Sequence, residues 1–204
     1  MGDEVKGAMD YDPLAYRTTD LLGLADVHRW GVIKMNRTQS VAEHSFNVAV
    51  IAMELAERLG HDDIERDILW WSLIHDAPET LSGDIDGKFK RDYPSVSEAV
   101  HEAEAMAFPW FVDEAPNKYT VVNAIVKLAD KIEAIQFIRT WGVGGRADSV
   151  YHELRKIMAM ETVPWAARIL EMNESELAGY VNRVMNYSTS DVCNIQDRKT
   201  KVPE

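Results

Sequence analysis

The feature that most constrains this chain is a run of twelve residues, Leu73-Ile74-His75-Asp76-Ala77-Pro78-Glu79-Thr80-Leu81-Ser82-Gly83-Asp84, carrying one imidazole and three carboxylates. Neighbouring side chains on an α-helix point about 100° apart and do not share a target. His75 and Asp76 can therefore converge on one ion only where a helix ends. Pro78 marks such an end, because proline biases the residue before it away from helical geometry. The spacing predicts a helix through Trp70, Trp71 and Ile74 that stops at or just after His75-Asp76, so the pair forms half of a metal site.

Candidates for the other half lie upstream and downstream. His44 follows Ser40-Val41-Ala42-Glu43, which has the S-x-x-E form of a capping box. It falls on the first turn of a helix whose buried stripe reads Val41, His44, Val48, Ile51, Ala52, Leu55 and Leu59, closed by Gly60. Asp130 sits in Lys127-Leu128-Ala129-Asp130-Lys131-Ile132, where a charge among apolar residues at helical spacing needs a partner. Taken singly, an imidazole on an apolar stripe is more often a satisfied core residue. Glu79 and Asp84 would by themselves read as ordinary carboxylates at a helix start.

These blocks, with His28-Arg29-Trp30, Ser82-Gly83-Asp84 and Glu133-Ala134, give the sequence a resemblance over about residues 20 to 140. It resembles the HD-domain metal-dependent phosphohydrolases, whose pattern is H…HD…D, and within them the 5'-deoxynucleotidase branch, which includes phage dATP triphosphohydrolases. The resemblance implies an all-α HD-domain helical bundle with a single buried metal site held by His44, His75, Asp76 and Asp130. It implies Glu79 as the catalytic acid/base with Asp84 as its partner near the attacking water, Arg29 on the 5'-phosphate, and Trp30 against the sugar, where its bulk excludes a 2'-hydroxyl.

Two imidazoles and two carboxylates suit a divalent first-row ion. Mn²⁺, Co²⁺ or Zn²⁺ is expected, with Fe²⁺ and Ni²⁺ also reasonable and Mg²⁺ less so. Protein donors take four positions, and the rest can hold water and a phosphate oxygen. The expected reaction is hydrolysis of a deoxynucleoside monophosphate to deoxynucleoside and phosphate. The alternative is a triphosphohydrolase attacking the same phosphorus, for which Lys88, Lys90 and Lys34 would hold the β,γ-diphosphate. A nucleotide-binding regulator without turnover is a third reading, disfavoured by the presence of Glu79 and Asp84.

The 204 residues suit one domain, expected over residues 1–187, followed by a polar tail over residues 188–204. A net charge of −12 disfavours a nucleic acid polymer or an anionic membrane as partner. No apolar run approaches the ~18–20 residues that span a bilayer, and the charged start Met1-Gly2-Asp3-Glu4 lacks a signal region. The expected location is the cytoplasm, that of the host if the chain is phage-encoded. The single Cys193 excludes an intrachain disulfide and reads as a spare thiol.

Helix signals fill the rest. Asp12-Pro13 opens a helix that ends near Gly23 to Asp26, and Val32 to Met35 reads as extended. Asp62 or Asp63 caps the helix leading to His75, Thr80 to Gly83 is a turn, and Asp86 to Arg91 an exposed basic loop. Ser95-Val96-Ser97-Glu98 reads as a second capping box. A long helix carries Val121 to Ile138 and stops at Trp141-Gly142. Three shorter helices follow over Ala147 to Met160, Pro164 to Met172 and Ser175 to Tyr187. Met158, Met160, Trp165, Met172 and Met185 read as core or subunit contacts, and a homo-oligomer is expected.

Overall fold

Hydrophobic residues recurring at three- and four-residue intervals bury one stripe per helix, and packing those stripes together generates the architecture. The computed structural model describes residues 13–186, with side chains from residue 17 onward. The Asp12 cap, Cys193 and the tail expected over residues 188–204 lie outside the described residues.

Helix α1 spans Pro13–Gly23 and unwinds through three turn hydrogen bonds that end at Asp26, as the sequence predicts. The following segment makes no strand. Its pairing is limited to isolated bridges between His28 and Ser40 and between Met35 and Gly142. Helix α2, Val41–Leu59, is capped by the Ser40 hydroxyl, which accepts from the Glu43 N–H at 3.1 Å. Gly60 closes it at φ 75°, in the left-handed region where a Cβ is penalised.

Neither Asp62 nor Asp63 caps the next helix. Both lie inside a 3₁₀ turn, Asp62–Ile64, that feeds helix α3, Glu65–Ile74. His75 is the residue immediately after α3, and its N–H still bonds the Trp71 carbonyl. The expected turn after Pro78 is a one-turn helix α4, Glu79–Ser82, ended by Gly83 at φ 72°. The expected basic loop is helix α5, Gly87–Asp92, because the Asp86 carboxylate accepts from the Phe89 N–H at 2.9 Å and nucleates it. Ser95 does not act as a cap either. Helix α6, Pro94–Ala107, starts at Pro94, whose missing N–H costs nothing in the first turn. The same logic gives an unexpected short helix α7, Pro109–Glu114.

Helix α8, Val121–Trp141, is the axis of the molecule, capped by the Thr120 hydroxyl accepting from the Asn123 N–H. It packs against α2 and α3. On its other side lie α9, Gly145–Ile157, then α10, Val163–Ile169, and α11, Glu174–Asn186. A π-helical turn, Met158–Thr162, joins α9 directly to α10 where two separate helices were expected. Pro164 explains it: a residue without an N–H cannot continue the i→i−4 ladder, and the wider turn absorbs the fault.

Val48, Leu55, Ile68, Ile125, Leu128, Ile132, Met158 and Leu177 form the centre of the core. Met158 and Met185 are buried in it, and Trp165 and Met172 pack against it, whereas Met160 is 69 % exposed. The ends of α2 and α3 and the middle of α8 thus meet beside the loop that follows α1.

Candidate metal centre

The two expected histidines face each other, with ring centroids 5.4 Å apart. Their Nδ1 atoms are both engaged. His75 Nδ1 lies 2.8 Å from the Ser72 carbonyl, and His44 Nδ1 lies 2.6 Å from Glu133 Oε2. A carbonyl and an ionised carboxylate only accept hydrogen bonds, so in each ring Nδ1 carries the proton and Nε2 presents its lone pair. Both Nε2 atoms are buried without a hydrogen-bond partner.

Those lone pairs converge on carboxylates. Asp76 Oδ2 is 3.3 Å from His75 Nε2 and 3.5 Å from His44 Nε2, and Asp130 Oδ1 is 3.5 Å from His44 Nε2. Donors about 2.1 Å from a common ion lie roughly 3.0–3.4 Å apart for angles between 90° and tetrahedral, and these separations of 3.3–3.5 Å lie within or just beyond that range. One ligand atom from each of His44, His75 and Asp130 falls within 4.8 Å of the others. Chain position explains the convergence: α2 supplies His44, the break after α3 supplies His75 and Asp76, and α8 supplies Asp130. Asp76 keeps 24 % of its side chain exposed, so the cluster has an open face.

The electrostatics follow from burial. Desolvation opposes ionisation of Asp130, yet Lys131, His44 and Lys127 hold its carboxyl well below the usual range. Burial likewise opposes Asp76, and His75 and His44 lower it on balance. Burial holds the His75 imidazole below its ordinary value. For His44, burial and Arg29 oppose the charged form, but the neighbouring Asp130 and Glu133 carboxylates prevail and raise it.

Beside these four residues lies a cleft of about 310 Å³, at the small end of the ~300–1,000 Å³ typical of small-molecule sites. Glu79, Asp84, Arg29 and Trp30 all line it. Glu79 Oε2 is buried and unpartnered, and burial with the neighbouring Asp76 and Asp84 charges pushes its carboxyl up to about 9. Asp84 Oδ2 accepts from the Trp30 N–H at 3.1 Å and stands 4.0 Å from Arg29 Nε. It therefore also braces the loop that carries Arg29 and Trp30. Trp30 occupies a left-handed conformation, φ 66°, and this brace is one of the contacts that hold it there.

Arg29 is set among four carboxylates: burial opposes its charge, and Asp76, Glu133, Asp84 and Asp130 raise its pKa on balance. Its Nε and Nη1 still have no hydrogen-bond partner. These donors and the Glu79 oxygen, aimed into a cleft beside two imidazole lone pairs, are what a phosphate ester and a divalent ion would occupy.

The structure revises the basic rim. Lys88 and Lys90 line the cleft, although Lys88 is largely exposed and paired with Asp92. Lys34 is exposed and is not among the residues lining the cleft; its carbonyl accepts from the Val143 N–H, which ties that stretch to the end of α8. Arg91, the third cation of that basic run, lines the cleft as well, and so do Lys127 and Lys131, to which the sequence assigned no role. Lys127 and Lys131 flank Asp130 at i−3 and i+1, a spacing that could have flagged them. Glu133, which holds His44, and Gln39 and Asn47, which hold Glu133, were given no role from sequence.

The sequence profile described as 5'-deoxynucleotidase YfbR-like matches residues 18–140. A dATP triphosphohydrolase of Salmonella phage PMBT28 is 33 % identical over 145 residues, 67 % of this chain and 73 % of the relative. The 5'-deoxynucleotidase YfbR of Salmonella paratyphi B is 30 % identical over 96 residues, 45 % of this chain and 48 % of the relative. Among solved structures, the cyanophage S-2L HD phosphohydrolase DatZ, bound to dA and one catalytic Zn²⁺ ion, superposes with a TM-score of 0.69. That match has 22 % identity and covers 84 % of this chain and 97 % of DatZ, and it supports the shared fold.

Proposed function

Since the chain belongs to the 5'-deoxynucleotidase YfbR-like family, we propose that it hydrolyses the 5'-phosphate ester of 2'-deoxyribonucleotides. His44, His75, Asp76 and Asp130 would hold the divalent ion. The observation that carries this reading is the pair of buried, unpartnered Nε2 atoms set 3.3–3.5 Å from Asp76 and Asp130 oxygens. A transition metal such as Zn²⁺, Mn²⁺ or Co²⁺ bound there supplies Lewis acidity, polarising a phosphoryl oxygen and lowering the pKa of water.

The chain's own groups do the rest. Arg29 directs its free donors at the phosphate, and its planar fork suits two of the phosphate oxygens. Glu79, which holds a proton near neutrality in the metal-free chain, is placed to handle the water or leaving-group proton. Asp84 fixes Trp30, so the indole wall beside the sugar is rigid, and rigidity is what lets a wall reject one extra hydroxyl.

The main reading yields deoxynucleoside and phosphate from the monophosphate. A second reading has specific support: Lys88, Lys90, Arg91, Lys127 and Lys131 line the same cleft, and the 33 % identical phage relative is named a dATP triphosphohydrolase. Incubation with dAMP and with dATP under Mn²⁺, Co²⁺ or Mg²⁺, with products resolved by ion-exchange chromatography, separates the two. Phosphate from dAMP supports the first, intact triphosphate from dATP the second, and neither product with any of the four bases ends both.

The net charge of −12 argues against a nucleic acid polymer as substrate. Among the described residues no helix is long and apolar enough to cross a membrane. Deoxynucleotide substrates fit action in the cytoplasm, that of a host if phage-encoded. Homo-oligomer formation is supported by exposed apolar pairs at i,i+4 spacing on two helices that pack together: Phe46 and Val50 on α2, Leu69 and Leu73 on α3. Light scattering coupled to size exclusion tests it.

A further inference from the structure

Glu133 lies one turn beyond Asp130 on α8 and is 3 % exposed, against 8 % for Asp130 itself. Every side of its carboxylate is occupied. Oε1 accepts from Gln39 Nε2 at 2.5 Å and from Asn47 Nδ2 at 3.2 Å. Oε2 accepts from His44 Nδ1 at 2.6 Å and faces Arg29 Nη1 at 3.7 Å. Gln39 is fully buried, and its Oε1 in turn accepts from the Trp30 indole N–H at 2.9 Å.

A carboxylate that accepts three hydrogen bonds and faces a guanidinium on its remaining side is not placed to take an ion or a reacting proton. It can, however, set the position of what it holds. We infer that Glu133 is the positioning residue of this site, locking the metal ligand His44, the phosphate-side Arg29 and, through Gln39, the sugar-side Trp30 into one register.

The chemistry of the contact explains why a carboxylate is required. An acceptor at His44 Nδ1 fixes the tautomer that leaves Nε2 free for metal and increases its basicity. An amide in the same place can turn its NH₂ toward Nδ1, which then must accept, and the proton moves to Nε2, where it blocks coordination. Gln39 and Asn47 share Oε1, so an amide turned the other way sets its NH₂ against both of those donors and loosens the register of Trp30 instead.

The inference rests on the metal-hydrolase reading, and the test keeps the two apart. Zn²⁺ and Co²⁺ affinities of the full chain are measured by calorimetry for wild type, Glu133→Gln and Gln39→Met. NMR then follows the His44 Nδ1–H in the zinc-loaded proteins. Loss of a side chain that orients a metal ligand weakens metal binding roughly 10–100-fold, and that is expected for Glu133→Gln, along with disappearance of the protected Nδ1–H signal. Gln39→Met removes the link to Trp30 and one hydrogen bond to Glu133 Oε1 but leaves the Glu133–His44 contact in place, so it is expected to keep metal affinity within a few-fold of wild type while raising KM for the deoxynucleotide.

Wild-type affinity in Glu133→Gln would overturn the inference. So would zinc-loaded wild type with His44 protonated at Nε2, or Gln39→Met with unchanged KM; both remain decisive if Glu133→Gln does not fold. Wild-type protein that binds neither ion overturns the metal-hydrolase reading itself.

Discussion

At the scale of single residues, Glu79 separates binding from turnover. It is not one of the four proposed ligands, so Glu79→Gln should retain metal affinity by calorimetry while kcat falls on the order of 10²–10⁴-fold, the range of a lost general acid/base. Its ionisation also gives a stability signature in metal-free protein. The folded carboxyl is raised from 4.5 to about 9, so the folded chain binds the proton more tightly than the unfolded chain. Stability from this group is fully present below pH about 4.5 and is lost as pH rises through about 9. Glu79→Gln lacks that dependence. Melting temperatures of the two metal-free proteins should therefore diverge between pH 6 and pH 9, wild type losing ground, and parallel curves would refute the assignment. His75 and Asp76 were readable because the proline after them dictates where a helix can end, whereas the role of Glu79 came from the family resemblance. Glu133 was not readable, since its role depends on donors from residues 39, 44 and 47 that no spacing rule connects to it.

At the scale of elements, the turn from α8 into α9 is set by a close approach. A Cβ built on Gly142 would stand 2.5 Å from the Ile138 carbonyl oxygen and 2.8 Å from Ala147 Cβ. Gly142→Ala should destabilise by about 1–3 kcal/mol through overpacking, measured by urea denaturation, and a wild-type midpoint would contradict this packing. Leu128, fully buried at the centre of α8, should cost about 2–5 kcal/mol as Leu128→Ala in the same assay. Long helices were legible from periodicity, and α2 and α8 begin at Val41 and Val121 as their apolar stripes require. The short helices were not. α5 is six residues held by one Asp86 cap, and α6 begins at Pro94 rather than at the capping box that follows, because the helix has already started when Ser95 is reached.

At the scale of the whole molecule, the metal cluster joins three helices distant in sequence, so ion binding and global stability are linked. Removing metal with a chelator should lower the melting temperature, and returning Mn²⁺, Co²⁺ or Zn²⁺ at 100 times its Kd should restore about 2.7 kcal/mol. A melting curve indifferent to both treatments would count against the site. The acidic chain places several cations, Lys88, Lys90, Arg91, Lys127 and Lys131, around that one cleft, so local rather than net charge draws the anionic substrate.

The order of residues alone determined the helical class, the break after His75-Asp76 and the identities of the four convergent donors, because each follows from local geometry or from a motif with fixed roles. Tertiary structure decided which nitrogen of each imidazole faces the cleft, that Lys127 and Lys131 line it while Lys34 does not, and that one buried carboxylate braces three functional side chains. Those outcomes depend on distances between helices, which arise only when the apolar stripes pack and bring residues about ninety positions apart to within a hydrogen bond.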